Sequence, residues 1–318
     1  MSINLLAKSF LPWAKLVLNS QIKRDEIGLL CPCGIGDTYF ACALAAEVSQ
    51  ANQGASVVAI VKQHHSDIPD LFADSIVRKV TFSSKQIINS AMLCRNLDSG
   101  KVFFAHPSVK FTGQFSILGY KSLNLLDLYK FTFNLNYEAN LSAPVTSQDA
   151  IVSARERLRQ YDLPVGKTAI LAPDSNSTPN FHQTSAATFW HQLSQRLTAE
   201  GLTVVALTNR NSDFLPQIPR IEFPLIEAIP VAEMCGLVVA ARSGLCDLLA
   251  TANTKLAILY PEQQWYSGTV YSCSSLQRMG LSSSVQEIVV DRSRSVPEVI
   301  EEIIDYSAQD CTQLLNAL

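Results

Sequence analysis

Short apolar runs alternate with helix-length segments along the whole chain. In the first half the runs are EIGLLCP (26–32), ASVVAIVKQ (55–63), SIVRKVTF (75–82) and GKVFFAHP (100–107). Their length and their Val, Ile and Leu content predict buried strands. Between them, GDTYFACALAAEVSQANQG (36–54) and SSKQIINSAMLCRNL (83–97) are long enough and rich enough in helix formers to be crossover helices. A strand–helix–strand rhythm of this kind predicts a parallel sheet covered on both faces.

The rhythm restarts after a break. Residues 142–164 read as a linker running into a helix, closed by Pro164-Val165-Gly166. Strands follow at 167–174, 202–209, 237–242 and 254–261, with helices at 185–201 (ended by Gly201), 231–236 and 244–253. A last helical segment, 295–318, opens at Ser295 with Pro297 near its first turn, a position proline favours. The prediction is an α/β chain of two parallel-sheet domains of similar size, split near residues 150 to 165. The length of 318 residues agrees with that, at roughly 150 residues per domain. In open parallel sheets ligands bind beyond the carboxyl ends of the strands, so the strand-to-helix turns should hold the chemistry.

Composition narrows the classes. Hydrophobic residues make up 47% and charged residues 17%, which excludes a disordered chain. With 25 basic and 28 acidic side chains the net charge is −3, and no basic face advertises nucleic acid. The eight cysteines (31, 33, 42, 94, 235, 246, 273, 311) form no CxxC pair, and the five histidines sit at no metal-ligand spacing from them. Buried thiols in a reducing cytoplasm are expected, with no structural metal. The first 26 residues are apolar but interrupted by Lys8 and Lys15, too broken for a spanning helix. They read as a packed amphipathic helix, with peripheral contact to a membrane surface as the second reading.

Three turns carry candidate chemistry. In CPCGIGDTYF, Gly34 and Gly36 follow the opening strand and Asp37 stands at the start of the next helix. Asp37 there is either a helix cap or a carboxylate set to take a proton from an attacking hydroxyl. The dinucleotide fingerprint is excluded, because its third glycine falls on Tyr39. In RSGLCDLLATA, Arg242, Ser243 and Gly244 open a helix whose backbone amides suit a phosphate. Arg242 either forks onto phosphate oxygens or pairs with an acid. Asp247 either meets a sugar hydroxyl or supports Arg242. In APDSNSTPNFH, Ser175, Asn176, Ser177 and Thr178 offer hydroxyls and amides, a composition that is also ordinary loop material.

These motifs, GIGD after the first strand, LAPDSNSTPNFHQTSAATFWHQLSQRL opening the second half and LVVAARSGLCDLLATANTKLAILYP near the end, together resemble the lipopolysaccharide heptosyltransferases of glycosyltransferase family 9. The order of the motifs matches, and the similarity extends loosely over most of the chain. The resemblance implies the GT-B architecture: two Rossmann-like domains facing across a cleft. It places an acceptor-side domain at 1–155, a nucleotide-sugar-binding domain at 156–296, and a terminal helix at 297–318 crossing back to the first domain. It implies that Asp37 is the catalytic base and that Ser177 and Thr178 lie near the donor phosphates. It puts His182 where the family often has a lysine, seven residues before Phe189, and matches Ser243, Gly244 and Leu245 to the turn that holds the donor.

The chain departs from the family at Ala43, where a proline is usual. It departs again at Arg242, where an acid precedes Ser/Thr-Gly, and at Asp247, where a histidine is usual. Those changes of charge point to a donor other than ADP-heptose. The implied activity is transfer of a sugar from a nucleotide-sugar donor to a glycan or glycolipid acceptor, in lipopolysaccharide or surface polysaccharide synthesis. Transfer is expected to be inverting and without metal or cofactor, the nucleotide-sugar being a substrate. The segment 111–142 is expected on the acceptor side, its Lys121 and Lys130 being equally readable as solvated charges. Alternatives are a non-catalytic nucleotide-sugar binder, an epimerase or hydrolase of the same fold, and a cysteine hydrolase using Cys246.

Overall fold

A computed structural model describes residues 21–82, 101–107, 117–175, 183–208, 217–291 and 293–309, with positions 14 and 215; for 183–186 the backbone alone is described. The chain divides into two compact units between Val145 and Thr146.

In the first unit, strands β1 (Glu26–Cys31), β2 (Ser56–Lys62), β3 (Ile76–Phe82) and β4 (Val102–Phe104) form a parallel sheet in the order β3-β2-β1-β4. β1 lies between two neighbours and is buried along its whole length, which is why it reads as an unbroken apolar run. β3, at the edge, alternates between buried Ile76 and exposed Val77. The helical stretch after β1 is two helices, α1 (Ile35–Ala43) and α2 (Ala45–Ala51), jointed at Leu44. α3 (Leu125–Thr132) follows β4. The crossover helix expected at 83–97 and nearly all of the amino-terminal helix lie outside the described residues. Among the described residues no helix is long and apolar enough to cross a membrane.

The second unit starts with α4 (Gln148–Gln160), whose buried Ala150, Ala154 and Leu158 recur one helical turn apart. Its Ser153 and Arg157 bind the buried Glu227 carboxylate at 2.7 and 3.1 Å, which fixes α4 to this unit. Strands β5 (Thr168–Ala172), β6 (Thr203–Ala206), β7 (Gly236–Ala241), β8 (Lys255–Pro261) and, beyond a short antiparallel ribbon of β9 (Gln264–Trp265) and β10 (Gly268–Thr269), β11 (Gln286–Val290) follow. The sheet is parallel in the order β11-β8-β7-β5-β6. α5 (Gln183–Ala199) crosses from β5 to β6 and buries Phe189, Trp190, Leu193 and Leu197 on it. α6 (Ala228–Cys235) ends at Gly236, where φ is +98° and a Cβ would stand 3.2 Å from the Gly166 carbonyl oxygen; only glycine fits both demands. Two short helices, α7 (Gly244–Leu249) and α8 (Val270–Ser274), flank β8.

The segment expected to cross back to the first domain is helical over α9 (Val296–Ala308), opened by a Ser295/Glu298 capping box with Pro297 in its first turn. Val299, Ile300, Ile303, Ile304 and Tyr306 of α9 belong to the second unit's own core, each such side chain contributing about 1.5–3 kcal/mol of burial. Residues 310–318 lie outside the described residues.

Candidate active site

In the first unit the strand order reverses at β1: β2 lies on one side and β4 on the other. The carboxyl ends of β1 and β4 therefore border a topological switch point, where open α/β sheets bind ligands. The turn Pro32-Cys33-Gly34 leads from β1 into α1, and Asp37 sits in the first turn of that helix. Its Oδ2 accepts the Gly34 N–H at 2.5 Å. A Cβ on Gly34 would lie only 3.0 Å from that oxygen, so glycine is what lets the carboxylate fold back so closely. The helix cap is therefore Gly34, and Asp37, expected there, stands one turn further on as its capping-box partner, a role that engages one oxygen only.

The other oxygen, Oδ1, accepts the Tyr129 hydroxyl. Tyr129 reaches it from α3, which is started by Asn124: Asn124 Oδ1 accepts from Asp127 N at 3.1 Å while Asp127 Oδ2 accepts from Asn124 N at 2.8 Å. The Tyr129 ring stacks on Phe40 with centroids 5.0 Å apart. Phe40 is three residues on from Asp37 and shares its face of α1, so ring and hydroxyl are placed by one helix side. His106, just past β4, brings Nε2 to 3.8 Å from Asp37 Oδ1. The Cys33 thiol completes the group: ligand atoms of Cys33, Asp37 and His106 all lie within 4.8 Å of one another. Spacing along the chain gave these three no common role; strand order brings them together.

Around them, Lys62 at the end of β2 donates to the Cys33 carbonyl, and burial pulls its pKa down. Burial, reinforced by the Asp37 charge, pushes the Cys33 thiol up to about 12. His65 Nδ1 lies 3.2 Å from Thr38 Oγ1; burial, then His64 and Lys62, bring its pKa down to about 3, so it is neutral. Of the basic residues in the 111–142 segment, Lys130 binds the Tyr137 carbonyl at 2.6 Å and Lys121 lies over the Tyr120 ring, both at the surface.

In the second unit the order reverses at β5, with β6 on one side and β7 on the other. The turns after β5 and β7 are tied together: Ser175 Oγ donates to the Arg242 carbonyl at 2.8 Å. Asp174 accepts from Thr208, beyond β6, at 2.6 Å. The Arg242 side chain, set against phosphate oxygens as one expectation, is turned into the protein. It is 4% exposed and Asp247 is 2% exposed. Nη2 donates to Asp247 Oδ1 at 2.6 Å, Nη1 to Asp247 Oδ2 at 3.3 Å and to the Ser243 carbonyl, and Nε to the Ser274 carbonyl at 2.8 Å. Burial works against the guanidinium charge, and Asp247, with Tyr260 and Cys246, together more than offset it. Of the two readings of each residue, the structure joins them: Arg242 pairs with an acid, and Asp247 supports it.

Ser243 precedes α7 in extended conformation and its side chain does not cap the helix. The turn at Ser243, Gly244 and Leu245 is partly exposed. Cys246 is fully buried, and burial pushes its thiol up, which removes the cysteine-hydrolase reading. Ser177, Thr178 and His182, as well as Asn176, lie outside the described residues. A groove of about 530 Å³ elsewhere is lined by Gln286, Glu298, Glu302 and Tyr306; Gln286 opens β11, so this groove lies toward the amino ends of the strands, away from both turns.

No protein-family model matches the chain, and no curated protein does. Solved structures do. Escherichia coli ADP-heptose lipopolysaccharide heptosyltransferase II is similar over 89% of this chain and 98% of that one, at 13% identity and a TM-score of 0.61. A glycosyltransferase family 9 protein from Veillonella parvula is similar over 93% and 97%, at 12% identity and a TM-score of 0.58. E. coli heptosyltransferase WaaC with ADP is similar over 89% and 100%, at 13% identity and a TM-score of 0.51. The chain has the fold of the heptosyltransferase-like family 9 enzymes, with two Rossmann-like parallel sheets of the GT-B class.

Proposed function

We propose that the chain is a glycosyltransferase that moves a sugar from a nucleotide-sugar donor to a glycan or glycolipid acceptor, with inversion and without a metal in the transfer step, in lipopolysaccharide or surface polysaccharide synthesis. The observation that carries the reading is a carboxylate, Asp37, held by two donors at the switch point of the first sheet, in a chain with the fold of heptosyltransferases. Such transfer needs a base at the acceptor hydroxyl and stabilisation of the departing nucleoside diphosphate.

Asp37 takes the acceptor proton. Gly34 and Tyr129 orient its two oxygens, as a reacting group must be oriented. In the second unit the opening amides of Ser243-Gly244-Leu245 receive the diphosphate, as helix starts do, and the Ser177, Thr178 and His182 stretch adds donors. Arg242 serves as a positioning residue: through its own carbonyl it fixes the turn after β5, and through its guanidinium the turn after β7. The heptosyltransferase structures with ADP and with ADP-2-deoxy-2-fluoro heptose support an adenine nucleotide as the first donor class to try.

The test is a panel of nucleoside diphosphates and nucleotide-sugars read by thermal shift. A ligand at about 100 times its dissociation constant adds roughly 2.7 kcal/mol of stability. Transfer is then assayed with the best donor, for the wild type and Asp37→Asn. Nucleotide binding retained with turnover abolished is the expected outcome. Turnover retained in Asp37→Asn overturns the assignment, and conversion of the donor without acceptor replaces it with a hydrolase or epimerase.

A further inference from the structure

Cys33, Asp37 and His106 come from three separate places: the turn after β1, the first turn of α1, and the residue pair beyond β4. The pairing of β1 with β4, through Gly28–Val102, Leu29–Phe103 and Leu30–Phe104, holds those places side by side. A thiol, a carboxylate and an imidazole within 4.8 Å of one another are a donor set of mixed softness. Zinc-class bonds of about 2.0–2.3 Å put tetrahedral donors roughly 3.3–3.7 Å apart. Asp37 Oδ1 and His106 Nε2 are already 3.8 Å apart. The carboxylate is also oriented before any ion arrives, by Tyr129 on one oxygen and Gly34 N–H on the other, the kind of outer-shell support that metal-binding carboxylates carry. The group is half-buried rather than sealed, which leaves a fourth position to solvent.

We propose that Cys33 Sγ, Asp37 and His106 Nε2 form a three-ligand site for a borderline-soft divalent cation of the zinc class, and that an ion there blocks transfer by occupying the Asp37 carboxylate. The second half rests on Asp37 being the base; the first half does not. Binding displaces the thiol proton to solvent and needs His106 neutral, with its proton on Nδ1. A thiolate and an imidazole select zinc-class ions over magnesium and calcium, which prefer oxygen ligands. Lys62, bound to the Cys33 carbonyl, brings positive charge beside the ligands and weakens the site without removing a ligand.

The full-length protein, stripped of metal, is titrated with Co²⁺ while the thiolate-to-cobalt charge-transfer absorption is followed, then with Zn²⁺, Mg²⁺ and Ca²⁺ as competitors. The site predicts a band that Zn²⁺ abolishes and Mg²⁺ and Ca²⁺ do not. Cys33→Ser should lose the band, and His106→Gln should weaken the ion by at least about tenfold, the lower end of what even an outer-shell loss costs. Circular dichroism and thermal melting establish that both variants fold. Absence of a band, or a band that survives Cys33→Ser, overturns the site. Zn²⁺ should inhibit wild-type transfer and should not lower the rate of Cys33→Ser below that variant's own metal-free rate. Binding without inhibition overturns the second half alone. Transfer by Asp37→Asn in metal-free buffer would instead fault the base assignment and leave the cobalt result standing.

Discussion

The Tyr129 hydroxyl donates to Asp37 Oδ1 from a ring that is itself fully buried against Phe40. The carboxylate at the first switch point is therefore held by the packing of α3 on α1 as well as by its own helix start. Tyr129→Phe keeps the stacked ring and removes only the donor. A hydrogen bond to a charged group is worth about 1.5–3 kcal/mol, and about 1.4 kcal/mol of transition-state stabilisation is a tenfold rate. The expected outcome is kcat reduced about tenfold or more with donor affinity unchanged, read from steady-state kinetics alongside nucleotide titration.

Gly34→Ala tests the same carboxylate from the other side. The backbone there, φ −87°, accepts alanine, but the new methyl would sit 3.0 Å from Asp37 Oδ2. Asp37 has to move by a few tenths of an ångström, and the Gly34 N–H bond lengthens. Turnover should fall several-fold while the unfolding midpoint changes little. A rate equal to wild type would mean that the carboxylate does not need this position.

Arg242 and Asp247 form a buried pair, and breaking one leaves the other charged and unpartnered by it, at a cost of about 3–5 kcal/mol. Arg242→Ala should destabilise the second unit by that order in urea unfolding and weaken nucleotide binding as a consequence. The double variant Arg242→Met/Asp247→Leu should regain most of the stability, since apolar replacements of buried pairs are often neutral. If nucleotide affinity returns with it, the guanidinium only builds the turn. If stability returns and affinity does not, the guanidinium also serves the phosphates.

How far the sequence was legible follows physical lines. β1 and β5 are buried on both faces, so their apolar runs are unbroken and stand out. β11 did not stand out: at the edge of its sheet only Ile288 is buried, and Glu287 is spent accepting from Tyr260 and Ser275 at 2.5 Å each. The strand-to-helix turns with Gly34, Asp37, Ser243 and Gly244 were readable because turn chemistry is local. Tyr129 and His106 were not, because their nearness to Asp37 depends on α3 packing on α1 and on β4 lying beside β1, long-range facts that local pattern does not carry. The inward course of Arg242 was hidden for the same reason, as one of its acceptors is the Ser274 carbonyl, beyond β8.

His65 gives the first unit an acid sensitivity above the carboxylate range. In the folded protein burial holds it down to about 3, against an ordinary 6.5. The unfolded chain therefore takes up this proton first as pH falls. The contribution is fully present above pH 6.5 and is lost on the way down toward 3, at a limiting slope of about 1.4 kcal/mol per pH unit. His64, also lowered by burial, acts in the same direction. Urea midpoints measured between pH 7.5 and pH 5, a window with about 1.5 units on the falling side, should decline for the wild type. They should decline less for His65→Gln, whose amide retains a partner for Thr38. Equal slopes in the two proteins would refute the role.

Glu26 sets a second, lower limit. Arg78 reaches across from β3 to the buried carboxylate at the start of β1, with Nη2–Oε2 at 2.6 Å and Nε–Oε1 at 3.1 Å. Those bonds, against the opposing effect of burial and with help from Lys23, bring Glu26 from 4.5 down to about 2. A carboxylate lowered on folding stabilises above its unfolded value and loses that contribution as pH falls through the folded one. Wild-type stability should therefore drop between about pH 4.5 and 2 by a step that Glu26→Gln lacks, the variant being less stable at neutral pH and converging on the wild type in acid. Chemical unfolding of both proteins across that range checks it, and parallel curves would assign the acid sensitivity to other groups.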